Sequence, residues 1–276
     1  MASVTEAFFM PDGHGGQLHA VLHRPTDDAP RACVVLVQAW GPEMNFSRRH
    51  LAQASRALAA AGAMVLVVDL HGSGDSHGRA EDGTWSRWAD DLRLGLRWLQ
   101  ARHPDLPQWV WAHRAGALVV AAAWPALRDA HLLLWQPVAS LADLRREWER
   151  QAAASALARG RPPAAAVQAL REAWRAGRAV EIAGTAVSAA LALDDALPAL
   201  TSLAPAAGTQ LVWIELGRPQ PAQASAAAQR VMAAWAQGGG AAHWLPVDTE
   251  PFWQLAEAQR RPALAERTVQ AVLGTA

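Results

Sequence analysis

Residues 109–127 read WVWAHRAGALVVAAAWPAL. A short apolar strand, 109–112, runs into a turn of small residues around Arg114. A 13-residue apolar run, 115–127, follows and reads as a buried helix. Strand, sharp turn and buried helix are the setting in which one side chain is lifted above a parallel sheet, beside backbone N–H groups and a helix N-terminus. In the pattern G-x-S-x-G that side chain is a nucleophilic serine. Here Ala112-His113-Arg114-Ala115-Gly116 puts an arginine there. A guanidinium stays protonated and cannot attack a substrate. The setting of a nucleophile is present without the nucleophile.

Working outward, alternating residues at 4–10 and 17–23 flank a Pro-Asp-Gly turn and predict an antiparallel hairpin. The runs at 32–37 (ACVVLV) and 63–70 (AMVLVVDL) predict strands buried on both faces. Further strands are expected at 131–135, 210–216 and 243–247, and helices at 47–61, 85–101 and 263–273. Alternating strands and helices specify an α/β fold, a mostly parallel sheet with helices on both faces. Residues 140–205 break that rhythm: they are Ala- and Arg-rich, helical by propensity, and hold no credible buried strand. The expected organisation is a core of 1–139 and 206–276 with a helical cap insertion at 140–205.

Composition narrows the function classes. Hydrophobic residues make up 51% and charged residues 18%, which excludes a mainly disordered chain. Arg (there is no Lys) balances Asp+Glu at 25 each, so no basic patch for nucleic acid is expected. The single Cys33 excludes a disulfide framework or a cysteine-rich zinc module. Among the ten histidines the one H-x-x-x-H, His19 to His23, encloses no carboxylate and there is no H-x-H, so neither a metal site nor a cofactor is expected. Absent Lys and Tyr, abundant Ala and 14 Trp follow the codon bias of a GC-rich genome. The first residues lack the form of a secretory signal, and 115–127 is shorter than the about 20 residues that span a bilayer, so a cytoplasmic protein is expected.

Ligands of open parallel sheets bind beyond the carboxyl ends of the strands. The loop 69–76 (DLHGSGDS) there has the form D-x-x-G-x-G-x-S. It lacks the Gly-Lys-Ser/Thr of a phosphate loop and the spacing of a dinucleotide fingerprint. A structural turn, capped by Asp75 and Ser76, is the reading it supports.

With those residues in view, the chain resembles the α/β-hydrolase superfamily over nearly its whole length. Residues 43–49 (EMNFSRR), 69–76, 133–138 (LLWQPV) and 250–254 (EPFWQ) are similar to one bacterial family. It is the second of the two exosortase A system-associated α/β-hydrolase families, found beside exosortase and PEP-CTERM sorting genes and often in exopolysaccharide clusters. The resemblance implies that an arginine within G-x-R-x-G-A is that family's usual elbow. Ala112 departs from it where a glycine is expected. A partner encoded in such a gene cluster is also implied.

The resemblance further implies where an acid and a base belong. The acid position, after the strand at 210–216, holds Gly217, Arg218, Pro219, Gln220 and Pro221, with no carboxylate. The base position, after the last strand, holds Asp248, Thr249, Glu250, Pro251 and Phe252, with no histidine. No serine–histidine–acid relay is legible. What remains suggests binding of a small anionic, glycan or acyl ligand. Gln38 and Trp40 occupy the loop that normally supplies oxyanion donors, Glu43 follows, Arg48 or Arg49 is expected in the first turn of the next helix, and Gln136, Glu250 and Trp253 are expected at the rim around Arg114. Three outcomes stay open: a ligand-binding protein with an altered triad, an ester or acyl hydrolase with a non-standard catalytic residue, and a scaffold that binds a partner through the cap. Arg114 either holds a ligand anion or neutralises Glu43 or Glu250 internally.

Overall fold

The computed structural model describes residues 2–27, 29–124, 126–254 and 261–274. The chain opens with an antiparallel hairpin of β1 (Ser3–Pro11) and β2 (Gln17–Pro25), followed by β3 (Ala32–Val37), α1 (Pro42–Ala60), β4 (Ala63–Val68) and α2 (Trp85–Gln100). Next come β5 (Gln108–His113), α3 (Gly116–Ala123) and β6 (His131–Trp135). Between β6 and the next sheet strand lie α4 (Leu141–Ala158), α5 (Pro163–Arg175), a small hairpin of β7 (Val180–Ile182) and β8 (Thr185–Val187), and α6 (Ala189–Ala192). The chain ends with β9 (Gln210–Gly217), α7 (Ala226–Gln237), β10 (Ala241–Asp248) and α8 (Pro262–Leu273).

Eight strands form one sheet in the order β1-β2-β4-β3-β5-β6-β9-β10, parallel except for the β1–β2 and β2–β4 pairings. Each buried strand divides its residues between two cores, as a period of two requires. Val34, Leu36, Trp109, Trp111, Leu133 and Trp135 face α1 and α8. Cys33, Val35, Val110, Ala112, Leu132 and Leu134 face α2, α3 and α7. No helix among the described residues is long and apolar enough to cross a membrane.

Four expectations are corrected. Helix α1 begins at Pro42, not at residue 47, because proline at the first helical position has a preset φ and no N–H to satisfy. That moves Glu43, not Arg48 or Arg49, into the first turn. Helix α3 stops at Ala123 rather than 127, since Trp124 precedes Pro125 and is pushed to an extended backbone at φ −68°, ψ 143°; Pro125 itself lies outside the described residues. Helix α7 was not anticipated, although two parallel neighbours such as β9 and β10 require a crossover. The 140–205 insertion is not wholly helical, because Ile182 and Val187 bury a short hairpin against it.

Tryptophans join the insertion to the sheet layer. Trp85, Trp88, Trp40, Trp148 and Trp174 form a chain of ring contacts with centroids 5.4, 5.8, 6.3 and 5.8 Å apart. The ends are tied by hydrogen bonds: Trp85 Nε1 donates to Leu191 O at 2.9 Å and Trp174 Nε1 to Val187 O at 3.2 Å. Each such ring pair adds about 0.5–1.5 kcal/mol beyond its burial.

Candidate functional site

Strand β5 delivers Arg114 to the carboxyl edge of the sheet, at the turn into α3. Arg114 adopts φ 52°, a left-handed conformation uncommon for any residue but glycine, and holds it because both its backbone groups are engaged. Its N–H donates to Trp135 O at 3.1 Å, and its carbonyl accepts from Ala117 and Val138, each at 3.1 Å. Gly116 makes the turn possible: a Cβ there would lie 2.6 Å from Val37 O and 2.8 Å from Gln38 O. The sharp turn, the lifted side chain and the close-packed helix start are all present.

The lifted guanidinium is 7% exposed and almost fully committed. Nε donates to Glu43 Oε2 and Nη2 to Glu43 Oε1, both at 3.2 Å, a two-toothed grip from the first turn of α1. Nη2 also donates to Glu147 Oε2 of α4 at 2.6 Å, and Nη1 to Gln136 O at 3.3 Å. Trp253 lies with its ring centroid 4.7 Å from the guanidinium carbon, at cation–π distance. Burial pushes the Glu43 carboxyl above its ordinary value; Arg114 opposes that rise and Glu147 adds to it. Two carboxyl groups thus face one guanidinium. The adjoining cavity, lined by Trp40, Glu43, Leu144, Glu147, Trp148 and Thr185 among others, has about 30 Å³ for solvent, room for about one or two water molecules.

The other expected site residues separate. Gln38 Nε2 and Arg48 Nη2 both donate to Asp69 Oδ1, at 3.0 and 2.8 Å, while Asp69 Oδ2 is held by His19 Nδ1 and the Asp75 N–H, both at 3.2 Å. Arg49 is exposed on α1, and Glu250 is exposed and not among the partners of Arg114. Trp40 packs between Trp88 and Trp148. Gln136 also has positive φ, 42°; its Oε1 accepts from Leu216 N–H at 2.8 Å, stitching β6 to β9. The 69–76 loop is organised by Asp69 and Ser76, not by Asp75, whose side chain is exposed. Gly74 is required beside it, since a Cβ at its φ of 56° would meet Asp69 Oδ2 at 2.0 Å.

Sequence reading missed Glu147. Its signal was helical position: it sits three residues after buried Leu144 and next to buried Trp148, on the inner face of α4.

At the acid position the chain after β9 carries Arg218 and Pro219 and no carboxylate. Glu215, within β9, is buried and taken up by donors from Trp213, Trp244 and Ser225. Beyond β10, Phe252 is flanked by His50 and His113, with centroids 4.3 and 5.5 Å away. Burial holds His113 well below its ordinary pKa and lowers His50 to about 4. Ser73 and Ser76 donate to the carbonyls of Leu70 and Asp69. A hydroxyl–imidazole bond does join Thr5 Oγ1 and His23 Nδ1 at 2.8 Å on the β1–β2 hairpin, but burial and then Arg56 lower His23 to about 4, leaving it a poor base.

Residues 28–162, just under half of the chain, match the serine aminopeptidase, S33, family. No curated protein matches the sequence. Among solved structures, the chain is similar to ferulic acid-bound Est1E from Butyrivibrio proteoclasticus, with 15% identity, a TM-score of 0.69 and 96% and 97% of the two chains covered. It is also similar to a putative hydrolase from Agrobacterium vitis S4, at 14% identity, TM-score 0.58 and 98% of each chain. A third similar structure is an α/β serine hydrolase without lid from Xanthomonas campestris, at 17% identity, TM-score 0.56 and 96% and 92% coverage. At such identities the likeness speaks for architecture, and it agrees with the strand order and the elbow: the chain has the α/β-hydrolase fold.

Proposed function

We propose that this protein uses a hydrolase fold without hydrolysing: the nucleophile position has become a charged lock between the sheet and the cap insertion, with the catalytic triad lost. The observation that carries this reading is the Arg114 cluster. Four of the five guanidinium N–H groups are taken by Glu43, Glu147 and Gln136 O. An anionic ligand would have to displace two carboxylates to reach them, so the geometry favours internal pairing over anion binding at this position. The resemblance to the exosortase A-associated family supports a role in an exosortase- and exopolysaccharide-linked system, by binding a ligand or partner rather than by cleaving one. Access for a ligand then requires the cap to lift, breaking the Glu147 contact and the Trp40–Trp148 contact.

The esterase likenesses favour a rival in which an unrecognised nucleophile hydrolyses esters or acyl groups. A fluorophosphonate probe and p-nitrophenyl esters decide between the two. No labelling, with ester turnover equal to buffer, is expected. Stoichiometric labelling of Ser73 or Ser76 would establish the rival.

A further inference from the structure

A second group of titratable side chains stands at the carboxyl edge, outside the Arg114 cluster. Because β2 runs antiparallel to β4, with Ala20 opposite Val68, the β1–β2 turn is brought beside the loop that follows β4. The two loops are laced together: His77 N–H donates to Gln17 O and His19 N–H to Ser76 Oγ, both at 2.9 Å. There one carboxylate oxygen of Asp12 and one ring nitrogen each of His71 and His77 lie within 4.8 Å of one another.

We infer that Asp12, His71 and His77 form a binding site for a zinc-class divalent ion, open to solvent on the His77 side. Asp12 is buried and oriented in advance, its Oδ1 accepting the N–H groups of His14 at 2.8 Å and Gly16 at 2.9 Å. Gly16 is what lets the donors converge. A Cβ there would lie 2.6 Å from both Asp12 Oδ2 and His77 Nδ1. His71 is fixed through its backbone, its N–H donating to Asp91 Oδ2 at 2.7 Å and its carbonyl accepting from Trp88 Nε1 at 2.9 Å. Its Nδ1 is buried with no hydrogen-bond partner. An unsatisfied buried nitrogen costs about 1–3 kcal/mol, and coordination of an ion is one way to satisfy it.

Arg87 bonds Asp12 Oδ2, which opposes a cation, but it is shared with Asp91 at 3.7 Å. Two imidazoles with one carboxylate suit zinc or cobalt, whereas magnesium and calcium prefer all-oxygen sites. The neighbouring group His19, Asp69 and Asp75 also converges, but there Asp69 holds four donors against three on Asp12, and the His19 Nδ1 is already bonded to it whereas the His71 Nδ1 has no partner.

The test is titration of untagged full-length protein with Zn²⁺ by calorimetry near neutral pH, with the Co²⁺ visible spectrum as a second readout. One saturable Zn²⁺ per chain is expected. His77→Ala, an exposed change that keeps the metal-free melting temperature, should weaken binding by at least about tenfold and abolish the Co²⁺ bands. Asp12→Asn should weaken it similarly, and His243→Ala, at the opposite edge of the sheet, should leave it within about twofold. Wild-type binding no tighter than that of His77→Ala, or equal weakening by His243→Ala, would overturn the assignment.

Discussion

Two charged clusters share the carboxyl edge of this sheet and have opposite accounts. Around Arg114, donors and acceptors from α1, β6 and α4 answer one another, the guanidinium is 7% exposed, and about 30 Å³ of space remains. Around Asp12, the loops bring a carboxylate and two imidazoles together and leave His71 Nδ1 without a partner, while His77 faces solvent. A buried polar group is stable only when its bonding capacity is met. The first cluster meets it from within and so becomes structure. The second does not and so invites a ligand.

The comparison breaks most visibly at the sealed cluster. Arg114→Met keeps much of the volume but strands Glu43 and Glu147, and urea unfolding without any ligand should show a loss of roughly 3–5 kcal/mol. Acid is expected to act next. His23 and His50 are buried and held near 4, below their unfolded value of 6.5. A lowered histidine contributes stability above its unfolded pKa, and that stability is lost as pH falls towards the folded one. Stability should therefore drop between pH 6.5 and about 4, with each of the two contributing on the order of 3 kcal/mol. His50→Phe should flatten the pH dependence in melting curves, and an unchanged slope would show that His50 is not buried neutral.

A smaller effect concerns the hub between the clusters. Gly74→Ala forces a Cβ into the Asp69 carboxylate at positive φ and should cost roughly 1–3 kcal/mol in thermal unfolding. A neutral result would mean that Asp69 can move away from Gln38 and Arg48. The smallest expected effect sharpens the contrast itself. Any melting-temperature gain from Zn²⁺ should be the same in wild type and Arg114→Met, because the two clusters share no residue and distant sites add. A gain that vanishes in the Arg114 variant would show them coupled.

The sheet and its elbow were legible because burial imposes periodicity. Runs such as 32–37 and 63–68 are short and Val-rich, as strands covered on both faces are, and Ala112 to Gly116 fits a strand-to-helix turn. Helix α7 was obscured because its Ala-rich sequence carries little amphipathic contrast, with only Ala228, Val231 and Trp235 buried. Glu43 was legible as one of two candidate partners for Arg114. Glu147 was not, since it meets Arg114 across 33 residues and no spacing rule relates them. The same limit hid Asp12, His71 and His77. Motif spacing sees ligands on one helix or hairpin, whereas these are brought together by the antiparallel β2–β4 pairing.

The central claim is that Arg114 is neutralised from within. Its most direct test is ligand-free urea unfolding of wild type, Arg114→Met, the Glu43→Gln/Glu147→Gln pair and the combined triple variant. The account predicts that Arg114→Met alone loses roughly 3–5 kcal/mol and that adding the two glutamine changes restores more than half of it. An Arg114→Met protein as stable as wild type to within about 0.5 kcal/mol would contradict the lock and return Arg114 to the role of a ligand-binding group.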